Sequence, residues 1–366
     1  MTNRNKIKLL IITPSLQCGG SEKFVSLLCN HINTQQFLVC LVVVNNSRPF
    51  YQITNPAIDM IDLKKNRVLF SLPAIKNAVK QFKPDIIFST ANHLNLYLAV
   101  FKNQISNKIK FVAREASIVS INSQQAKMPG LYNWLIKKFY NRFDRIICQS
   151  VYMQQDLVSQ YKMAASKTTI IYNATQEIVR GPICHTEQTI DQVYKFVTVS
   201  RLSVEKGIER LIQAVGLLSL PFKYYIIGEG PKRKELQKLI NELQLQEKVF
   251  LVGEKADPFT GMEDADLFLL GSYYDGFPNV LLEAGAHGLP VIAFNAPGGI
   301  AEIIIEEANG LLVEDNDIIA FASAIKKGLV ANFNRNEIIE TTKNRFSINV
   351  IVPTIENLFL LLTENK

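Results

Sequence analysis

The sequence of 366 residues lacks the features that would place it in a specialised structural class. Its five cysteines are widely spaced and contain no Cys-x-x-Cys pair, so neither a disulfide framework nor a zinc site is indicated. No apolar stretch approaches the roughly 20 residues of a membrane span. No signal peptide is indicated, because Pro14 interrupts the first apolar run and no small-residue cleavage site follows. These absences predict a packed globular protein of the reducing cytoplasm that is not integral to a membrane.

Acidic residues are scarce in the first half of the chain. Residues 1–180 contain 23 Lys and Arg against 8 Asp and Glu, whereas residues 181–366 contain 17 against 25. The positive excess indicates that the first half faces an anionic partner, such as nucleic acid, an anionic membrane surface or a phosphorylated acceptor. A lysine-rich solvated face is the alternative. Because nothing resembles a recognition module, the sequence predicts no nucleic-acid partner.

Short β-rich apolar runs alternate with segments of helical periodicity, a pattern typical of parallel sheets covered by helices. The length of 366 residues exceeds one ordinary hydrophobic core and favours two domains. The sequence therefore predicts an α/β fold of two doubly wound, Rossmann-like units, residues 1–177 and 195–349, joined by a linker over residues 178–194. Such sheets bind ligands at the carboxyl ends of their strands, which would here line a cleft between the domains.

The individual elements follow from the same periodicity. The predicted strands of the first unit are Ile7–Thr13, Leu38–Val44, Ile86–Ser89, Ile109–Ala113, Arg145–Gln149 and Thr169–Tyr172. Those of the second unit are Phe196–Ser200, Tyr224–Ile227, Val249–Leu251, Leu267–Leu270, Pro290–Ala293 and Gly310–Val313. The predicted helices are Glu22–Asn33, Leu72–Phe82, Leu131–Phe143, Gly207–Leu218, Pro231–Leu243, Pro278–His287, Asp317–Leu329 and Val350–Leu362.

The segment from Asp275 to Glu283 carries the strongest single signal. A buried strand leads into a loop with Gly276, and Pro278 then introduces a helix. The unpaired amides and the positive end of that helix would suit an anion such as a nucleotide diphosphate. Glu283 would then be placed to accept hydrogen bonds from ribose hydroxyls. The alternative is an ordinary loop carboxylate followed by a solvated helical glutamate.

Two cations follow the first strand of the second unit. Arg201 comes just after the strand and Lys206 just before the next helix, so both lie at the carboxyl edge, where they can neutralise a leaving diphosphate. Ordinary surface charge is the alternative. Asp264 and Asp266 match an Asp-x-Asp metal motif, but they precede a strand and so lie at the opposite edge of the sheet. We therefore predict no metal site there.

The first unit offers weaker candidates at its own strand ends. Gly19 and Gly20 follow the first strand and open a helix, which would let the backbone approach a ligand closely. His93 follows one predicted strand, and Arg114 with Glu115 follows the next, so the last two are candidates for acceptor binding. A lone histidine and a lone Gly-Gly turn are more often structural.

The segment over residues 127–143 mixes aromatic and basic side chains on a predicted helix. Trp134, Lys137 and Lys138 are examples. Such a surface can rest on anionic lipid with its aromatic rings at the level of the headgroups. The alternative is an ordinary crossover helix that buries one face. The first of these two interpretations predicts a peripheral position on an anionic membrane surface, such as the cytoplasmic face of the inner membrane.

Taken together, these motifs resemble the retaining glycosyltransferases of family 4, which have the GT-B fold. The resemblance covers nearly the whole chain, and the motifs occur in the order and spacing of the family. They are Gly19-Gly20-Ser21-Glu22, Ser200-Arg201-Leu202 with Lys206-Gly207, Gly228-Glu229-Gly230-Pro231, and Asp275-Gly276-Phe277-Pro278-Asn279 running to Glu283-Ala284.

The resemblance implies roles for individual residues. The residues implied in catalysis are His93, Asp275, Arg201 and Lys206. The residues implied in donor binding are Gly19, Gly20, Arg201, Lys206, Gly228, Gly253, Glu254, Gly276, Phe277, Pro278, Asn279, Val280 and Glu283. Among them the two cations would bind the diphosphate, Glu283 the ribose, and the backbone near Gly253 the base. The family pattern Glu-x7-Glu begins here with Asp275, which is one methylene shorter.

The resemblance also implies an activity. It implies transfer of a hexose or N-acetylhexosamine from a nucleotide sugar, with retention at the anomeric carbon, and a UDP-sugar is the donor expected first. The implied acceptor is a glycan or lipid-linked acceptor in the synthesis of a surface polysaccharide, O-antigen or capsule. It implies neither a cofactor nor an obligatory metal, and a terminal helix, residues 350–366, that packs back on the first domain. A GT-B-fold nucleotide-sugar epimerase and a non-catalytic subunit of a polysaccharide-assembly complex are the alternatives.

Overall fold

The computed structural model of the protein describes residues 6–176, 192–262 and 264–364. The chain forms two compact units, Met1–Ala174 with Ile348–Lys366, and Thr175–Ser347. Residues 178–191 of the predicted linker lie outside the described residues. Its last residue, Tyr194, already begins the first strand of the second unit. The first unit is therefore built from two separate stretches of chain.

The first unit contains a seven-stranded parallel sheet. Its strands are β1 (Ile7–Thr13), β2 (Phe37–Val43), β3 (Asp59–Asp62), β4 (Ile86–Thr90), β5 (Lys110–Arg114), β6 (Arg145–Cys148) and β7 (Thr168–Ile170). They lie in the order β3-β2-β1-β4-β5-β6-β7. Strand β3 was not predicted, because this edge strand is short, only partly buried and has an aspartate at each end, so it lacks the apolar run of a core strand.

The helices of the first unit cover its sheet. They are α1 (Gly20–His31), α2 (Leu72–Phe82), α3 (Asn92–Ile105), α4 (Val119–Gln124), α5 (Pro129–Phe139) and α6 (Val151–Tyr161). Helix α3 was missed in the sequence because seven consecutive or near-consecutive residues of its first half are buried, which hides the one-sided apolar stripe of a surface helix. Helices α4 and α6 were missed as well.

The second unit contains a six-stranded parallel sheet. Its strands are β8 (Tyr194–Val199), β9 (Phe222–Ile227), β10 (Val249–Gly253), β11 (Leu267–Leu270), β12 (Val291–Phe294) and β13 (Gly310–Val313), in the order β10-β9-β8-β11-β12-β13. Its helices are α7 (Ile208–Gly216), α8 (Arg233–Glu242), α9 (Asn279–Ala286), α10 (Ile300–Ile303), α11 (Ile318–Val330) and α12 (Arg335–Phe346). Both sheets are doubly wound, which confirms the predicted α/β class.

Each sheet reverses its strand order at one point, between β1 and β4 in the first unit and between β8 and β11 in the second. Loops that leave the carboxyl ends of the two strands at such a point diverge to opposite faces of the sheet, which opens a crevice for ligands. Among the residues singled out in the sequence, Gly19 and His93 follow these strands in the first unit. Arg201, Lys206 and Asp275 follow them in the second.

The last helix, α13 (Ile348–Glu364), completes the core of the first unit. The ring of Phe359 is fully buried and lies edge-on against Phe88 at 5.6 Å and Phe37 at 6.2 Å between ring centroids. The Glu356 carboxylate accepts a hydrogen bond of 2.6 Å from the Asn33 amide after α1. The first sheet therefore depends on the end of the chain for one wall of its core.

Replacing Phe359 with alanine tests this dependence. Phe359→Ala should lower the free energy of unfolding of the first unit by about 3–5 kcal/mol, because it leaves a cavity between two aromatic rings. Urea denaturation followed by hydrogen exchange of the β1 amides measures that unit alone. Leu361→Ala, at a side chain that is 61% exposed, should change the value by less than about 0.5 kcal/mol. Equal effects of the two substitutions would contradict this account of the core.

Candidate functional site

The loop after β8 brings Lys206 to a carboxylate of a different loop. Lys206 ends a short 3₁₀ turn, and its Nζ lies 2.6 Å from the carboxylate of Asp275, which follows β11. Arg201 is 76% exposed and pairs with Glu205 at 3.0 Å. Partial burial disfavours the Glu205 carboxylate, but the hydrogen bond from Ser203 and the nearby cations lower its pKa overall. Two cations therefore lie at the carboxyl edge of the second sheet, as predicted.

Two glycines let the loops after β8 and β11 touch through their backbones. Gly207 has a positive φ of 54°, and a Cβ there would lie inside the van der Waals radius of the Gly271 carbonyl oxygen. A Cβ on Gly271 would in turn lie 2.5 Å from the Gly207 carbonyl oxygen. A residue with a Cβ at either position would force one of the two loops to move. The contact between Lys206 and Asp275 depends on it.

A glycine in the loop after β9 allows a similar backbone contact with Ser200, the residue before Arg201. Gly228 has a φ of 143°, and a Cβ there would lie 2.9 Å from the Ser200 carbonyl carbon and closer still to its oxygen. The Ser200 amide donates to the Ile227 carbonyl at 3.0 Å. The Gly228 amide donates to the Gly253 carbonyl at 2.8 Å, which joins the end of β10 to this edge, and Glu254 follows as an exposed residue.

Two backbone hydrogen bonds hold Asp275 against the loop after β12. Its amide donates to the Pro297 carbonyl at 3.0 Å, and its carbonyl accepts from the Gly299 amide at 3.0 Å. Gly298, with a φ of 130°, has no room for a side chain beside Asp275. This turn was not predicted from the sequence, although the Pro297-Gly298-Gly299 motif that follows β12 is a signal that could have identified it.

Helix α9 begins one residue later than expected. Asn279 is its first residue, and Pro278 is the N-cap, which has no side-chain acceptor for the amides of the first turn. Phe277 is buried against the Phe346 ring at 5.7 Å, so only its backbone is available to a ligand. Val280 and Glu283 are partly exposed on the helix. The amino end of α9 therefore follows Gly276 at the same edge as Lys206.

The predicted residues of the first unit lie at the carboxyl edge of its sheet. Gly19 is the N-cap of α1, which begins at Gly20. His93 is the second residue of α3, and Ala91, the N-cap of this helix, has a positive φ of 77°. Its side chain reaches solvent, yet desolvation by the surrounding protein lowers the pKa of the imidazole. This favours a neutral ring at neutral pH.

Arg114 and Glu115 lie at the predicted strand end but are buried, with exposures of 1% and 0%. The Arg114 guanidinium lies 3.7 Å above the Phe24 ring and donates to the Asn173 side chain. Side chains without exposed surface do not contact an acceptor directly in this conformation. The expectation that both bind the acceptor is therefore not met by their placement, because the strand end is covered by neighbouring helices.

A buried polar network that was not predicted surrounds Glu115. Its carboxylate accepts from Asn95 at 2.8 Å and from the Tyr140 hydroxyl at 3.1 Å. Burial raises the pKa of Glu115 to about 7, against the opposing effects of these hydrogen bonds and of Arg114. Asn95 also donates to the Arg114 carbonyl and accepts from Ser89. The network fixes the start of α3, and with it the position of His93.

The carboxylates of Asp264 and Asp266 both contact Lys195. The Asp266 carboxylate accepts the Lys195 amide at 2.7 Å, and Asp264 forms an ion pair with the Lys195 ammonium group. Both carboxylates lie at the amino end of β11, the position predicted for them from the sequence. Their roles in this structure are those of ordinary strand-end contacts.

Comparison with known proteins identifies the family. The sequence model described as Glycosyltransferase Family 4 matches residues 18–176, and the one described as Glycosyl transferases group 1 matches residues 185–345. Over 349 residues the chain is 30% identical to the N-acetylgalactosamine-N,N'-diacetylbacillosaminyl-diphospho-undecaprenol 4-alpha-N-acetylgalactosaminyltransferase of Campylobacter jejuni, covering 92% of this chain and 93% of that protein. The chain belongs to glycosyltransferase family 4.

Solved structures share the fold of this family 4 glycosyltransferase. The structure of Anabaena Alr3699/HepE in complex with UDP matches with a TM-score of 0.76 at 20% identity, covering 96% of this chain and 99% of that one. The apo lipopolysaccharide outer core galactosyltransferase WaaB matches with a TM-score of 0.76 at 18% identity, covering 96% and 98%. These likenesses confirm the GT-B class.

Among the described helices of the protein, we find none with the length and apolar character needed to cross a bilayer.

The second unit of the glycosyltransferase collects groups that suit a phosphate anion. Arg201 and Lys206 supply positive charge, and the amino end of α9 supplies backbone amides and the positive end of a helix dipole. All of them follow strands that flank the point where the sheet order reverses. The carboxyl edge of this sheet can therefore bind a diphosphate by charge-assisted hydrogen bonds.

The glycine at position 228 provides a test of this geometry. Gly228→Ala should lower the free energy of unfolding of the second unit by about 2 kcal/mol or more, because the methyl group overlaps the Ser200 carbonyl at a backbone conformation that alanine resists. Urea denaturation measures the change. Gly216→Ala is the matched control: it meets Leu245 only at an ordinary 3.6 Å, so it should leave stability unchanged or slightly raised. A tolerated Gly228→Ala variant would contradict the close approach.

Proposed function

We propose that the protein transfers a hexose or N-acetylhexosamine from a UDP-sugar, with retention, to a glycan or lipid-linked acceptor in the assembly of a surface polysaccharide. The observation that carries the proposal is the pairing of Lys206 with Asp275 beside the amino end of α9. The Campylobacter relative named above acts on a diphospho-undecaprenol acceptor, and a structural neighbour binds UDP. Both names support this choice of substrates.

Lys206 is assigned to the donor diphosphate. Its ammonium group has three protons, so one can stay on Asp275 while the others donate to phosphate oxygens. The side chain is 21% exposed and that of Asp275 15%, so the pair is partly shielded from water, which strengthens its interaction with an anion. Arg201 is more exposed and supplies a second positive charge. Glu283 is assigned to the ribose hydroxyls and the backbone near Gly253 to the base.

Catalysis would then rest on electrostatic stabilisation of the leaving diphosphate. As the glycosidic bond to phosphate breaks, negative charge grows on the oxygens that face Lys206 and the α9 amides, and fixed donors stabilise that charge without rearranging. In a retaining front-face reaction the departing phosphate would take the proton of the acceptor hydroxyl. Asp275, anchored by the Pro297 and Gly299 backbones, is assigned to orient the donor sugar. The roles expected of Gly19, Gly20 and His93 toward the donor stay predictions.

The acceptor side is assigned to the basic first unit. Helix α5 exposes Leu131 by 46% and Trp134 by 51%, and Met128 before it by 63%. The Lys138 ammonium lies 4.5 Å above the Trp134 ring, so a cation and an aromatic ring share this surface. Exposed apolar and basic side chains on one helix suit the headgroup region of an anionic membrane, where a lipid-linked acceptor would be found.

A nucleotide panel tests the donor. UDP should raise the melting temperature of the protein, with GDP and ADP weaker. Lys206→Ala should bind UDP roughly 10-fold to 100-fold more weakly, because it removes a charge-assisted hydrogen bond and leaves Asp275 unpaired. It should also lower kcat for sugar transfer by about 100-fold or more.

Lys195→Ala is the matched control, since this lysine pairs with Asp264 at the opposite edge of the same sheet. It should bind UDP as the wild type does. Stabilisation by none of the three nucleotides would overturn the proposed donor class. Interconversion of donor sugars in the absence of an acceptor would instead indicate an epimerase.

Vesicle binding tests the membrane contact. The protein should sediment with vesicles that contain phosphatidylglycerol and much less with pure phosphatidylcholine. The double substitution Lys137→Glu with Lys138→Glu should weaken binding about 10-fold or more, because each cation near an anionic surface contributes about 1 kcal/mol. The same reversal at the adjacent lysines Lys326 and Lys327, which are exposed on α11, is the control and should have little effect. Equal loss in both variants would show an unspecific charge effect and contradict the assignment to α5.

A further inference from the structure

Arg210 is a buried cation of the second unit that has no part in the site as described so far. It lies on α7, one turn after Lys206 and Gly207, and is 2% exposed. Its Nε donates to the Gly271 carbonyl at 2.7 Å, and its Nη2 donates to the Ser272 carbonyl. Its Nη1 donates to Asp315 at 2.7 Å and to Asn316 at 3.1 Å. Each nitrogen of the guanidinium therefore has an acceptor.

Two aromatic rings hold the plane of this guanidinium. Its central carbon lies 3.9 Å from the Phe294 ring centroid and 4.2 Å from that of Tyr273. A charge removed from water so completely adds little net stability, even when every hydrogen bond is made. What the planar fork of an arginine supplies is a fixed geometry toward several acceptors at once. A lysine at the same place has the charge but not the fork.

The acceptors of Arg210 lie on two other loops at the carboxyl edge. Gly271 and Ser272 begin the loop that leads from β11 to Asp275, and Asp315 begins the loop after β13. Arg210 itself follows the turn that carries Lys206. The side chain thus joins three loops at one edge of the sheet, and it does so next to the Gly207 and Gly271 backbone contact.

We propose that Arg210 is a positioning residue of the donor site, which holds the loop after β11 against the turn of Lys206 so that Lys206 meets Asp275 and the donor diphosphate. This inference rests on the proposed function. Tyr273 supports the same joint, because its amide donates to the Glu205 carbonyl at 2.9 Å and its hydroxyl to Glu209 at 2.7 Å. Loss of the fork should therefore displace Lys206 from its partners even in a folded protein.

A double-mutant cycle tests the coupling between Arg210 and Lys206. UDP affinity is measured for the wild type, Arg210→Lys, Lys206→Met and the double variant. In the wild-type background, Lys206→Met should weaken UDP binding roughly 10-fold to 100-fold. In the Arg210→Lys background it should weaken binding less than about threefold, because Lys206 is already displaced there. Arg210→Lys alone should lower kcat more than it changes KM for the acceptor. If Arg210 has a purely structural role, Arg210→Lys will lower the melting temperature, and Lys206→Met will keep its full effect on UDP affinity in that background.

Arg345→Lys is the matched control. This arginine of α12 also donates to two backbone carbonyls, those of Glu302 and Ile303, which belong to α10 and not to the Lys206 turn or the loop after β11. In this background Lys206→Met should keep its full effect on UDP affinity. A loss of that effect here would show that any damage to the unit mimics the coupling, and it would overturn the inference.

If Arg210→Lys does not fold, Asp315→Asn carries the cycle, since it keeps the guanidinium and removes the charge of one acceptor. Less than the full effect of Lys206→Met in that background supports the inference, and strict additivity overturns it. Failure of the wild type to bind UDP, GDP or ADP overturns the proposed function and the inference with it. UDP binding by the wild type with an additive cycle overturns the inference alone.

Discussion

The close approach of the Gly207 and Gly271 backbones is the constraint on which the second unit's site depends. Because neither residue has a Cβ, the turn after β8 and the loop after β11 meet directly, and Lys206 reaches Asp275 across the junction. Asp275 is held in turn by the Pro297 and Gly299 backbones after β12. The ends of three strands are thereby tied together through main-chain contacts, and the charged side chains are placed by the backbone beneath them.

Both units carry a buried arginine near the carboxyl edge of their sheet, and the two differ in how completely they are paired. Arg210 has an acceptor for each nitrogen. Arg114 donates from Nη2 to Asn173, while its Nε and Nη1 have no hydrogen-bond partner among the described residues. The second unit, residues 175–347, contains 24 Asp and Glu against 17 Lys and Arg, so attraction of an anion to it has to come from local arrangement rather than net charge.

All strands except β3, and the place of the motifs at strand ends, could be predicted from the sequence, because apolar runs and glycine or proline breaks are local signals. Burial could not be predicted for charged residues. Arg210 has acceptors 61 and 105 residues away, and Glu115 is enclosed by Asn95 and Tyr140 from other elements. A lone arginine on an amphipathic helix has the pattern of a surface charge until those distant partners are known.

Helix α3 and strand β3 were missed for opposite reasons. The first half of α3 is buried on nearly all sides, whereas β3 is a short edge strand that is exposed in part, so neither shows the periodicity of a half-buried element. Asp275 shows a further limit. The sequence located its carboxylate, but only the structure shows that its partner is Lys206 and that Gly298 leaves its backbone no freedom on the other side.

The return of α13 to the first unit also affects how the chain is made. The core around Phe359 is incomplete until Ile348–Glu364 has left the ribosome, whereas the second unit, Thr175–Ser347, is one uninterrupted stretch. At about 5–20 residues per second, synthesis of that intervening stretch takes roughly 9–35 seconds. Of the two units, the one whose translation begins earlier therefore closes later, and its unfinished sheet has to remain soluble during that interval.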